Sequence, residues 1–211
     1  MGSKERRERE RAETRRKILD AARDMFVEHG YEGTTMRAIA RRIDYTPTAI
    51  YHHFRSKEAL LYELCDEDFR ALGAAMQRIG TVDDPLERID RIGAAYVEFA
   101  LTHPMHYRLL FMTRRPALDE AEPQRAYGDP GQRAYAMLRE ACADAIARER
   151  LRPEYDDPDQ VAQMLWATMH GIVSLHVVKK PEAWIDWRDT RDTAARLRAA
   201  VRRGLSRDGA G

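Results

Sequence analysis

Apolar residues recur along this chain every three or four positions and almost nowhere at alternate positions, the spacing of helices that bury one face. From about Arg11 the stripe Ile18, Ala22, Met25, Phe26 and His29 marks a first helix, which stops at Gly30 where a left-handed residue suits a helix end. Thr34 and Thr35 offer a hydroxyl cap for a short second helix with Met36, Ile39, Ala40 and Ile43 on its inner face. Asp44-Tyr45 then makes a tight connection to Thr46, a cap, and Pro47, which needs no N–H at a first helical position. The third helix is also short and ends near Phe54. Ser56 caps a longer one from Lys57 to about Ile79, carrying Leu60, Leu61, Leu64, Leu72, Met76 and Ile79 at helical spacing.

The remainder repeats this grammar. Asp84-Pro85 opens a helix with Glu87 three residues after the cap and Leu86, Ile89, Ile92, Tyr96 and Phe99 along one side. His103-Pro104 begins the next, through Met112. From Thr113 to Gly131 the pattern breaks into Pro116, Pro123, Gly128, Pro130 and Gly131 among charges, an irregular connection long enough to be a lid or a disordered loop. Helices are predicted again from about Gln132 to Arg150, from Asp157-Pro158 to about Val178, and, after a segment bearing Trp184 and Trp187, from about Thr190 to Leu205. The prediction is an all-α chain of about nine helices, without strands or repeats, in three parts: a flexible charged arm over 1–10, a three-helix module over 11–57 and a helical body over 58–211.

Composition adds an asymmetry. The formal net charge is only +1, but residues 1–57 hold 14 Lys and Arg against 9 Asp and Glu, a net of +5, while the rest is net −4. A basic module is thus joined to a mildly acidic body, and the basic residues of the arm can touch phosphate. Apolar runs are short and broken by charge, so no segment is expected to span a bilayer, and the start lacks the apolar core of a signal peptide. The expected location is the cytoplasm. Cys65 and Cys142 sit in apolar helical patterns without metal or redox spacing and read as core thiols. His103, His106, His170 and His176 lack the pairing of a metal site, and no nucleophile elbow or phosphate loop occurs, so no catalytic residue, metal or cofactor is implied.

Two short helices joined by a few residues, the second cap-started, have the outline of a helix-turn-helix. The order from Gly33 to Leu61, GTTMRAIARRIDYTPTAIYHHFRSKEALL, closely resembles the DNA-binding module of the tetracycline-repressor (TetR) family. The carrying residues are Tyr51, His52, His53, Phe54, the turn Arg55-Ser56 and Lys57, over a resemblance that extends from about residue 11 to 65. Asp44 departs from the family, which usually has glycine there, but Asp tolerates a left-handed backbone better than most residues.

On this reading Thr46, Pro47, Thr48 and Ala49 face the bases of a major groove, which only short or polar side chains let the helix enter. With no Arg or Gln among them for a bidentate base contact, part of the selectivity is expected from DNA shape. Phosphate contacts are expected from Thr35, Tyr51, His53 and Lys57, with Arg37 as an addition and His52 counted in the same face. Ile50 and Phe54 are expected to hold the helix against Ile39, Ile43 and Phe26.

In the body, Val161, Leu165, Thr168, Ile172 and Leu175, then Leu197, Val201 and Leu205, exceed what one neighbouring helix can cover, which points to a homodimer through about residues 157–178 and 190–205. The resemblance implies that these last two helices pair into a four-helix bundle that sets the two reading heads one duplex turn, or a multiple, apart, so that the DNA partner is an inverted-repeat operator. Trp166, His170 and Gly171, spaced W-x3-HG, resemble one branch of the family's ligand-binding domains. With Tyr96, Phe99, Tyr107, Phe111 and Met137, Trp166 and His170 are candidates to line an apolar site for a small effector. The implied function is a repressor released by a small, largely apolar molecule. A regulator that needs its ligand to bind DNA, an activator, or a helical small-molecule binder without DNA activity are the alternatives.

Overall fold

A computed structural model describes residues 3–77, 79–113, 130–179 and 184–207. Its described helices are α1 (Ser3–Gly33), α2 (Met36–Arg42), α3 (Pro47–Tyr51), α4 (Lys57–Gln77), α5 (Pro85–Thr102), α6 (Pro104–Met112), α7 (Pro130–Ala147), α8 (Pro158–Lys179) and α9 (Thr190–Leu205). No strand occurs among the described residues, only an isolated bridge between Leu151 and Ser206. Of the expected irregular connection over 113–131, residues 114–129 lie outside the described residues.

The chain divides into two compact units, residues 1–68 with 105–124 and residues 69–104 with 125–211. The division falls inside α4 at Asp68 and groups most of α6 with the first unit.

In the first unit the polar signals act where the sequence places them. Gly30 has φ 73° and ψ 169°, and a Cβ there would meet nothing within 4 Å, so backbone conformation and not space selects glycine. The Thr34 hydroxyl lies 2.8 Å from the Gly30 carbonyl and 3.0 Å from that of Met25, closing the end of the helix. Asp44 is left-handed, φ 59°, in the turn between α2 and α3. The core is built from Ile18, Ala22 and Phe26 of α1, Ile39 and Ala40 of α2, Ile50 and Phe54 around α3, and Leu60, Leu61 and Leu64 of α4, all buried; Ile43 is only half-buried. The helix of α1 also runs back through the segment read as an arm, to Ser3.

In the second unit α7 and α8 pack on α5, and α9 packs on both α5 and α8. Leu86, Cys142, Ala145, Leu151, Val161, Ala162 and Leu205 form a buried cluster flanked by Ile89, Leu138, Leu165 and Val201. Asp84 caps α5, its carboxylate accepting from the N–H groups of Leu86 and Glu87. α8 corrects one expectation: it is long and apolar enough, by length and composition, to cross a membrane. The reason is that it is apolar on more than one side. Val161, Ala162, Met169 and Val173 are buried, while Met164, Trp166, Leu175 and Val178 are exposed.

Candidate nucleic-acid interface

Thr46 and Pro47 set where α3 starts. Pro47 fits the first turn, and the Thr46 hydroxyl accepts from the Ala49 N–H at 3.2 Å, satisfying a donor that a five-residue helix would leave unpaired. Ile50 is fully buried and Phe54 nearly so, which fixes the rotation of α3 on the core. That rotation leaves Thr46, Pro47, Thr48, Tyr51 and His52 exposed, with Ala49 and His53 half-buried. Tyr51 is 53% exposed, a large aromatic side chain on the outer side of α3. Thr35 repeats the capping arrangement for α2, accepting from the Ala38 N–H at 3.1 Å, and Arg37 beside it is exposed. In each cap the hydroxyl oxygen accepts from the backbone, so its own O–H can still donate outward.

Two predicted contacts sit in more constrained places. The Lys57 ammonium donates to the carbonyls of Tyr31 at 2.8 Å and Thr34 at 3.0 Å and lies 4.0 Å from the centre of the Tyr31 ring. Two of its three donors therefore join the end of α1 to the start of α4, leaving one for another acceptor. His53 is held mostly neutral: burial and then the charges of Arg11, Arg15 and His52 push its pKa below the ordinary histidine value. Its Nδ1 is buried without a hydrogen-bond partner among the described residues. A neutral imidazole still has a donor N–H, so a phosphate contact from His53 would be a hydrogen bond unless the phosphate itself draws a proton onto the ring.

The surface is thus small hydroxyl and methyl groups at the start of α3, with an aromatic hydroxyl and imidazoles at its end. A model of bacterial regulatory proteins of the tetR family matches residues 18–64, and a tetracyclin repressor-like C-terminal domain matches residues 89–203, more than half of the chain. The chain belongs to the TetR family. Among relatives, the HTH-type transcriptional repressor Rv1474c of Mycobacterium tuberculosis is 42% identical over 71 residues, 34% of this chain and 38% of that protein. The HTH-type transcriptional repressor AcnR of Corynebacterium efficiens is 33% identical over 116 residues, 51% of this chain and 61% of its own. The chain therefore spans between about two fifths and three fifths of these relatives. A crystal structure of AibR in complex with isovaleryl coenzyme A and operator DNA shares the fold, with TM-score 0.68 and 24% identity over 87% of this chain and 94% of that one.

Seven aromatic, His and Met positions were candidates for the effector site of this TetR-family chain. Three of them meet in the second unit. Trp166 Nε1 donates to the Tyr96 hydroxyl at 3.4 Å, and that hydroxyl lies 3.0 Å from His170 Nδ1. Indole is a donor only, so Tyr96 accepts from Trp166, and burial lowers the His170 pKa, which favours a neutral ring that can exchange a hydrogen bond with the Tyr96 hydroxyl in either direction according to its tautomer. Tyr135, which sequence reasoning did not single out, adds its ring 6.2 Å from that of Trp166. Phe99 is buried with its ring 5.4 Å from His103, and Met137 is half-buried on α7. Tyr107 and Phe111 stack at 5.2 Å on α6, in the first unit.

Sequence reading also missed a buried polar group in the first unit. Asp68 of α4 accepts from Arg23 Nη2 of α1 at 2.9 Å and from His106 Nδ1 of α6 at 2.5 Å, with Arg23 and Asp68 side chains only 6% and 2% exposed. The available signal was a charge on an apolar face: Arg23 falls among Leu19, Ala22 and Phe26, and Asp68 one turn after Leu64.

Proposed function

We propose that this chain is a DNA-binding transcriptional repressor, acting in the cytoplasm as a homodimer on an inverted-repeat operator and released by a small, largely apolar effector received in the body. The single observation that carries the reading is the presentation of α3: Ile50 and Phe54 anchor one side in the core, and Thr46, Pro47, Thr48 and Tyr51 stand exposed on the other. Small groups at the start let backbone approach the base edges, and hydroxyls at both ends suit phosphate. Ala49, Thr35, Arg37, His52, His53 and Lys57 complete the proposed contact set. The part of α8 left exposed at Met164, Trp166, Leu175 and Val178 supports pairing with a second copy. The Tyr96, Trp166 and His170 group, and the effector and operator named together for AibR, support a ligand-controlled regulator and not a catalyst.

The test is anisotropy titration of duplex from the promoter flanking the protein's own gene, at several stated salt concentrations. Tight, salt-sensitive binding is expected, lost in Tyr51→Ala while the helical circular dichroism is retained. An unchanged affinity in Tyr51→Ala, or no binding by the wild type to any such fragment, refutes the reading.

A further inference from the structure

α1 begins well before it has anything to pack on. Residues 3–13 are all exposed, and the first buried side chain is that of Ile18. At 1.5 Å per residue the exposed stretch is a rod of roughly 16 Å extending beyond the core. Its composition works against its own stability as a helix. Near the positive end of the helix dipole, where acids are favoured, Lys4, Arg6, Arg7 and Arg9 outnumber Glu5 and Glu8. Its ion pairs, Lys4 with Glu8, Arg6 with Glu10 and Arg9 with Glu13, run with the base first, the weaker order. Over residues 3–17 there are eight basic side chains and four acidic ones, a net of +4. Such a helix end suits a polyanion better than it suits water.

Which polyanion follows from the face concerned. Thr14 lies 3.5 Å from the Tyr45 hydroxyl in the connection before α3, Arg15 lies 4.4 Å from the centre of the Phe54 ring just after α3, and Ile18, one turn further along α1, is buried. One and two turns back on the same face are Arg11 and Arg7. Both are exposed, neither has a carboxylate partner among the described residues, and Arg11 is close enough to His53 for its charge to be felt there. The face of α1 that flanks the reading helix therefore continues past the end of that helix as two unneutralised guanidiniums.

We propose that Arg7 and Arg11 form a second DNA-backbone contact, gripping phosphates beside the stretch read by α3. The inference rests on the DNA-binding reading above and adds to it a sequence-independent term, since guanidinium to phosphate contacts position a protein without reading bases.

The experiment compares the wild type, Arg7→Gln/Arg11→Gln and Arg7→Lys/Arg11→Lys, all full-length, on the promoter duplex and on an unrelated duplex of equal length. Gln is nearly as good a helix former as Arg, so the helix is retained. The Gln variant is expected to bind both duplexes roughly tenfold more weakly, with the slope of log affinity against log salt reduced by about 2 per subunit, and the Lys variant to keep the slope. Wild-type binding with affinity and slope unchanged in the Gln variant overturns the proposal while leaving the DNA-binding reading intact. So does a loss confined to the promoter duplex, which would mark base reading. Failure of the wild type to bind either duplex defeats the underlying reading, and this proposal with it.

Discussion

Removing the Asp68 carboxylate tests how the first unit is held together. The Arg23 guanidinium is 6% exposed and, once Asp68 is gone, keeps only Asp20, at 3.2 Å and itself 52% exposed. His106 loses its hydrogen bond to Asp68 at the same time. Breaking a buried pair from one side typically costs about 3–5 kcal/mol, because the remaining charge is left desolvated. The lower end applies here, since Asp20 partly compensates and since Asp68 Oδ2 and Arg23 Nε already have no hydrogen-bond partner among the described residues. For a chain of this length a loss of about 3 kcal/mol lowers Tm by roughly 6–12 °C. Asp68→Ala should show that drop in a thermal melt followed by circular dichroism. The double variant Arg23→Met/Asp68→Leu, which removes both charges and keeps the volume, should melt near the wild type or above it. A fall of less than about 1 kcal/mol in Asp68→Ala, or a double variant as unstable as the single one, would refute the claim that a desolvated charge and not lost packing is at stake.

Thr46→Ala removes the hydroxyl that caps α3 and should cost about 1 kcal/mol in a urea melt, with Thr46→Ser restoring most of it; an unchanged midpoint would mean the cap does not hold α3. Glu98 is held at a pKa of about 2, first by its hydrogen bond from Arg191 and then by that from Thr102. A depressed carboxylate stabilises the fold above its ordinary pKa of 4.5 and loses that contribution as pH falls toward about 2. Glu98 and Arg191 are 57% and 58% exposed, so solvent screens the pair, and Glu98→Gln should destabilise slightly at neutral pH, less than Thr46→Ala does, and not at all near pH 2. A deficit that persists at low pH would assign the effect to packing.

Helix starts were legible because caps are local chemistry. Thr35 before Met36, Thr46-Pro47 and Asp84-Pro85 each place an acceptor and a suitable first residue within three positions, and each cap is made. The Gly30 end and the left-handed Asp44 were legible for the same reason. The extension of α1 to Ser3 was not, because a helix already anchored by Ile18 and Phe26 can propagate backward without an apolar face of its own. α8 was misjudged as too broken by charge, since its buried and exposed apolar residues interleave within one run.

The site was legible in kind and less so in wiring. The order of Thr46, Thr48, Ile50 and Tyr51 gives which side of α3 turns outward, since one buried residue fixes the phase of a helix. What cannot be read from spacing is a bond across helices distant in the chain. Lys57 is drawn inward to Tyr31 and Thr34, 26 and 23 residues earlier, and the Asp68 group spans separations of 45 and 38. These bonds bear on the proposed function, because α3 offers the bases only hydroxyls, methyls and a proline ring and so gains little discrimination from any one contact. On the proposed reading specificity must come from how firmly and how far apart two such helices are held. Lys57 ties the start of α4 to the end of α1 and to Thr34, Asp68 holds α4 to α1 and α6, and the exposed apolar side of α8 is the surface through which a second copy would set the distance between two such helices.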